Sequence, residues 1–183
     1  MFDFVIVHGS FGSPFENWTP WLYEKLIEKE KNVLAPQLPV INQNYDNWQK
    51  IFSVYDDYIG ENTSIVAHSL GPAFVINYLL DNKKKVNNLY FVAPFYGLIN
   101  IKEFDDVNQT FFKYESLKES KKYFNKASCF ISNNDPYVPS NMSIDFSNQL
   151  DSRINIVENG GHFNKSAGYT KFNELLKVIE ENG

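Results

Sequence analysis

The chain opens on an unbroken apolar run, Phe4, Val5, Ile6 and Val7. A run without alternation is the pattern of a strand buried on both faces of a parallel sheet. His8 and Gly9 end it. After a loop from Ser10 to Trp18, Thr19 is placed to cap a helix with Pro20 at its first position, and Leu22, Tyr23, Leu26 and Ile27 recur as its apolar stripe. A short strand over 33–35 stops at Pro36 and Pro39, and Trp48, Ile51, Phe52, Tyr55, Tyr58 and Ile59 then return at helical spacing. Further strands are expected over 65–67, 89–93, 129–132 and 154–157. A helix through Phe74, Val75, Tyr78 and Leu79 follows the third strand, and a last helix carries Tyr169, Phe172, Leu175, Leu176 and Ile179 on one face. Strands alternating with amphipathic helices predict an α/β chain with a mostly parallel sheet covered on both faces.

One stretch breaks the rhythm. Residues 94–126, between the fourth and fifth strands, hold an expected helix near 115–123 and form the candidate lid. No internal repeat or linker interrupts the rest, so 1–183 reads as a single domain. Lys83 to Lys85 reads as a solvated charge run.

Composition narrows the partners. The 183 residues are 43% hydrophobic and 21% charged, as in an ordinary globular domain. A net charge of −5 leaves no broad basic surface, so nucleic acid is not expected as a partner. Cys129 is the single cysteine, which excludes an internal disulfide and a multi-cysteine zinc site. No apolar run approaches the ~20 residues that span a bilayer, and no cationic N-terminal segment precedes an apolar one, so no membrane association and a cytoplasmic location are expected.

The candidate chemistry starts at Ala67, His68, Ser69, Leu70 and Gly71, the pattern of a nucleophile elbow with Ala in place of the first Gly. It falls where a strand ends and a helix begins. A tight turn there holds a serine in a strained backbone conformation with its hydroxyl above the sheet, and small residues at 67 and 71 let strand and helix approach. A serine hydroxyl needs a neighbouring base. Of the three histidines, His68 adjoins the serine and is expected to point away, His8 ends the first strand, and His162 lies in a Gly160, Gly161, His162, Phe163 loop after the last strand. His162 is the expected base. The orienting acid should lie between Ser69 and His162 in sequence. Asp135, in turn chemistry at the C-terminal end of a strand, fits best against its competitors Asp105, Asp106, Asp145 and Asp151. The oxyanion hole should use the backbone N–H of Leu70 and a second amide from the loop after the first strand, Ser10 or Phe11. That loop lacks the lysine of a phosphate-binding loop and the glycine spacing of a dinucleotide fold.

These blocks resemble the small serine hydrolases of the YdeN and retinoblastoma-binding-protein-nine type, within the α/β-hydrolase superfamily. The likeness spans nearly the whole chain. It rests on His8 and Gly9 with Ser13, Pro14 and Trp18 to Leu22, on His68 to Gly71, on Asp135 to Pro139, and on Gly160 to Phe163. The resemblance implies a compact three-layer αβα sandwich with a minimal lid, with Ser69 as nucleophile, Asp135 as orienting acid and His162 as base. Ala67 departs from the Gly of many relatives and adds one methyl to the elbow.

The expected activity is hydrolysis of small carboxylic esters, thioesters or amides through an acyl-enzyme, with no metal or cofactor. Trp18, Phe95, Tyr96, Tyr137 and Phe163, with Phe11, are candidates to line a shallow pocket for a small acyl substrate. Two alternatives stay open: a non-catalytic protein-interaction module on the same fold, and an acyltransferase or peptidase using the same residues.

Overall fold

A computed structural model of the chain describes residues 1–182. Six strands form one sheet: β1 (Phe4–Val7), β2 (Val33–Leu34), β3 (Ser64–His68), β4 (Asn88–Val92), β5 (Lys126–Ser132) and β6 (Arg153–Val157). Their order is β2-β1-β3-β4-β5-β6, and every neighbouring pair is parallel. The apolar run of β1 is explained by two cores. Val5 and Val7 face one, Phe4 and Ile6 the other.

The described residues hold six α-helices: α1 (Thr19–Ile27), α2 (Tyr45–Phe52), α3 (Gly71–Asn82), α4 (Lys102–Asn108), α5 (Ser140–Gln149) and α6 (Asn173–Glu181). Leu22 and Leu26 of α1 pack with Leu175, Val178 and Ile179 of α6 on one side of the sheet. Trp48 and Phe52 of α2, Phe74 and Tyr78 of α3, and Phe146 of α5 fill the opposite side. The result is the expected αβα sandwich. Because β1 lies between β2 and β3, the chain changes direction there, and the crevice at the C-terminal ends of β1 and β3 is where ligands gather in such sheets.

The structure departs from the local sequence pattern in several places. Thr19 is the first residue of α1 and Trp18 takes the cap position without a side-chain cap bond. The helical spacing from Trp48 to Ile59 splits into α2 and a 3₁₀ stretch, Ser53–Tyr58. The expected helix near 115–123 is a 3₁₀ stretch, Lys118–Tyr123, while α4 forms earlier in the same segment. Tyr169 and Phe172 precede α6 and close the core as side chains of a loop. Helix α5 gave no apolar stripe because serines occupy its inner face. Buried Ser143 donates to Pro94 O at 2.6 Å and buried Ser147 to Ser143 O at 2.7 Å.

The segment between β4 and β5 is pinned to α3. Asn77, fully buried, donates to Phe111 O at 2.6 Å and accepts from Tyr96 Oη at 2.8 Å, and Tyr96 Oη in turn accepts the Lys113 and Tyr114 amides. One turn along α3, Asp81 accepts from Tyr45 Oη at 2.7 Å, from Tyr114 Oη and from Lys113 Nζ.

Candidate active site

Ser69 follows β3 directly and precedes α3, with φ at +59°. A non-glycine residue in that region is strained, and the strain is held in place on both sides. Its N–H donates to Val92 O at 2.9 Å. A Cβ on Gly71 would come within 2.9 Å of His8 O and 3.2 Å of Ala67 Cβ, so the need for small residues at 67 and 71 is met. Gly9 is tighter still. A Cβ there would stand 2.8 Å from Ser69 Cβ and 3.3 Å from its hydroxyl oxygen.

Three side chains from distant positions meet at this elbow. His162 Nε2 lies 3.0 Å from Ser69 Oγ, and His162 Nδ1 lies 2.7 Å from Asp135 Oδ2. The carboxylate is an acceptor, so Nδ1 carries the proton and Nε2 presents its lone pair to the serine. Asp135 is itself held, because its Oδ1 accepts the Tyr137 and Val138 amides at 2.9 and 3.0 Å. None of Asp105, Asp106, Asp145 or Asp151 is bonded to a histidine. Asp105 accepts the Ile99 amide, and Asp106 and Asp151 pair with Lys102 and Lys121.

Residues outside the motifs fix the loop that carries His162. Asn133 Oδ1 accepts the Asn159 amide and Asn134 Oδ1 the Gly161 amide, both at 2.8 Å. His68 reaches the same loop, with Nε2 donating to His162 O at 2.9 Å. Burial, with the neighbouring His162 adding to it, pushes the His68 imidazole down to about 3, so it is a neutral donor. His8 is also lowered by burial. Its Nε2 accepts the Leu38 amide at 2.9 Å, and its Nδ1–H meets Gly9 O at 2.8 Å, which braces the loop after β1.

That loop holds both expected candidates for a second donor, and they differ. The Phe11 amide donates to Gln43 Oε1 at 2.9 Å and is engaged. Ser10 and Leu70 donate no backbone hydrogen bond among the described residues; Ser10 borders the cleft that holds Ser69, and Leu70 follows Ser69 in the chain, at the cap position of α3.

A cleft of about 230 Å³ opens over Ser69. Of the expected aromatics, Phe11, Phe95 and Tyr137 border it. Three do not. Trp18 and Phe163 are fully buried, packed on Phe172 with ring centres 5.9 and 5.2 Å away, and Tyr96 points its hydroxyl at Asn77. Each is an aromatic recruited by the core, which a sequence cannot separate from a cleft residue. Ile99, Phe104, Asn108 and Val138 also line it, as do Glu16, Asn17 and Asn164. Across the mouth runs an aromatic row. Ring centres are 5.8 Å apart for Phe11 and Phe104, 5.7 Å for Phe104 and Tyr137, and 5.1 Å for Tyr137 and His162.

A parallel sheet covered on both faces, with an elbow serine at the C-terminal end of an inner strand, defines an α/β hydrolase. The family model described as serine hydrolase matches residues 4–181, and the chain belongs to that family. The YdeN protein of Bacillus subtilis (strain 168), which bears a hydrolase's name, is 29% identical over 179 residues, covering 95% of this chain and 92% of that one. The crystal structure of the B. subtilis ydeN gene product superposes with a TM-score of 0.88 at 23% identity, over 98% of this chain and 97% of that chain. Mouse α/β-hydrolase domain-containing protein 10 gives 0.69 at 13% identity, over 98% and 90%. Est1E from Butyrivibrio proteoclasticus, with ferulic acid bound, gives 0.70 at 15% identity, over 98% and 88%.

Proposed function

We propose that the protein hydrolyses short-chain carboxylic esters through an acyl-enzyme formed on Ser69. The observation that carries the reading is the hydrogen-bonded line from Asp135 through His162 to Ser69 Oγ. As Ser69 Oγ bonds to the carbonyl carbon, His162 Nε2 takes its proton, and Asp135 stabilises the imidazolium without accepting that proton. The carbonyl oxygen, now negative, accepts from the Ser10 and Leu70 amides, each worth roughly 3 kcal/mol of barrier. The intermediate collapses when the carbon–oxygen bond to the alcohol breaks and His162 returns the proton to the leaving oxygen. Water then attacks the acyl-enzyme by the same steps, with His162 taking a proton from water and giving it back to Ser69.

The size of the cleft supports short acyl groups, since about 230 Å³ falls below the ~300–1,000 Å³ of pockets for drug-sized ligands. The ferulic acid in the Est1E structure belongs to an esterase-named neighbour of the same fold and is compatible with an ester substrate. The test is labelling with a fluorophosphonate, followed by peptide mass spectrometry and a panel of p-nitrophenyl esters of increasing chain length. The reading predicts label on Ser69, none in Ser69→Ala, and rates that decline for long acyl chains. A folded protein that takes no label at Ser69 would favour an interaction module instead. Product formation with added alcohols would favour acyl transfer.

A further inference from the structure

Beside the proposed nucleophile lies a cluster of polar side chains that none of these steps uses. Ser10, Gln43 and Asn108 come from the loop after β1, the loop before α2 and the last position of α4, and Gln43 and Asn108 are only 4% and 1% exposed. Their hydrogen bonds decide which end of each amide points where. The Phe11 N–H can only donate, so the Gln43 atom 2.9 Å from it is the carbonyl Oε1. Gln43 Nε2 therefore turns to Ser10 Oγ at 3.1 Å and to Asn108 at 2.9 Å. The Asn108 atom that meets it must accept, which makes it Oδ1, and that oxygen also accepts the Ser10 hydroxyl at 2.5 Å.

Asn108 Nδ2 is the end left over. Among the described residues it meets no hydrogen-bond partner, yet it is not sealed in the core, where Trp18 Nε1 is the one enclosed side-chain atom lacking a partner. Asn108 borders the cleft, whose lining also includes Ile99, Phe104 and Val138. Two N–H donors on a side chain that is only 1% exposed are unfavourable until something accepts from them. Their position in the cleft also has a side. The leaving oxygen has to be within reach of His162, at one end of the aromatic row, while Asn108 is tied through Ser10 and Gln43 to Phe11 at the other end.

We propose that Asn108 is a specificity-determining residue whose Nδ2 donates a hydrogen bond to an oxygen on the acyl part of the substrate. The preferred esters are then those of short acids bearing an ether, hydroxyl or keto oxygen, over plain alkyl acids of equal length. This rests on Ser69 acting as the nucleophile.

The probes are matched pairs in which an ether oxygen replaces a methylene: p-nitrophenyl methoxyacetate against butyrate, and 3-methoxypropionate against pentanoate. Asn108→Asp keeps an acceptor for Ser10 and Gln43 but removes the free donor. Its new charge weakens the oxyanion hole for every ester alike, so the readout is the kcat/KM ratio within each pair, in which that common effect cancels. The ratio is expected to fall about five- to tenfold in at least one pair, the size of one hydrogen bond. Asn108→Ala gives the same readout if thermal melting shows the Asp variant unfolded. Ratios unchanged within twofold in both pairs, with the wild type cleaving all four esters, would overturn the role of Asn108 alone. A wild type that cleaves no ester and takes no label on Ser69 would remove the nucleophile and this role with it.

Discussion

A single hydrogen on Gly9 is what lets the loop after β1 lie against the elbow. An added methyl would meet Ser69 Cβ at 2.8 Å, and the atom it displaces carries the oxygen proposed as nucleophile. Gly9→Ala is therefore expected to lower kcat by roughly 10²-fold, because misplacement of the order of an ångström has that effect on a positioned nucleophile. Wild-type kcat in a folded variant would contradict this. Asp135→Asn should keep the fold, since Oδ1 can still accept the Tyr137 and Val138 amides. An amide nitrogen facing His162 Nδ1 would select the wrong tautomer and lower kcat by up to about 10⁴. Ser69, Asp135 and His162 were legible in the sequence because a hydrolase motif fixes each by its neighbours in the chain. Gln43, Asn77, Asn108, Asn133 and Asn134 were not. Their partners lie far away in sequence, and an isolated Asn or Gln reads as surface or turn until the fold shows what it faces.

Among the elements, the strands were the most readable and the segment between β4 and β5 the least. Runs such as Phe4 to Val7 carry their own signal, whereas α5 is held by serine hydroxyls and α4 is one short stretch with only Phe104 and Val107 apolar among charged and polar residues. What keeps that segment over the cleft is its attachment to α3 through Asn77 and Asp81. Asp81 sits partly exposed, and its neighbouring lysine and tyrosine donors hold its carboxyl below the usual range against the opposing effect of burial. Asp81→Ala removes an acceptor shared by Tyr45, Lys113 and Tyr114. After allowance for solvent screening, a loss of about 1 kcal/mol in urea unfolding is expected. Limited proteolysis should cut faster within 109–118. Unchanged proteolysis would mean that Asn77 and Tyr96 hold the segment without help.

The molecule as a whole carries an acid liability built from its buried imidazoles. His68 is pushed down to about 3 and His8 is lowered as well, from an ordinary value of 6.5, both chiefly by burial. Below about pH 6.5 the unfolded chain binds a proton at His68 and the folded chain does not until about pH 3, so stability declines over that range by about 1.4 kcal/mol per pH unit, and the lowered His8 adds to the loss in the same direction. Urea midpoints should therefore drop between about pH 7 and pH 5, a range above ordinary carboxylate titration. A flat midpoint across that range would contradict the burial of both rings. The sheet order that buries them also sets β1 beside β3, which is why His8, Gly9 and Ser69 share one crevice. The sequence predicted the strands and their parallel run but could not supply that order, since it is set by which crossover packs where. Passage of an acyl group through Ser69 is tested by rapid quenching of the wild type with p-nitrophenyl acetate, followed by mapping of the acetyl group by peptide mass spectrometry. A transient acetyl is expected on the peptide containing Ser69, formed with a burst of nitrophenolate and absent in Ser69→Ala. Ester cleavage at full rate with no acetyl on that peptide, or with the acetyl on another residue, would contradict it.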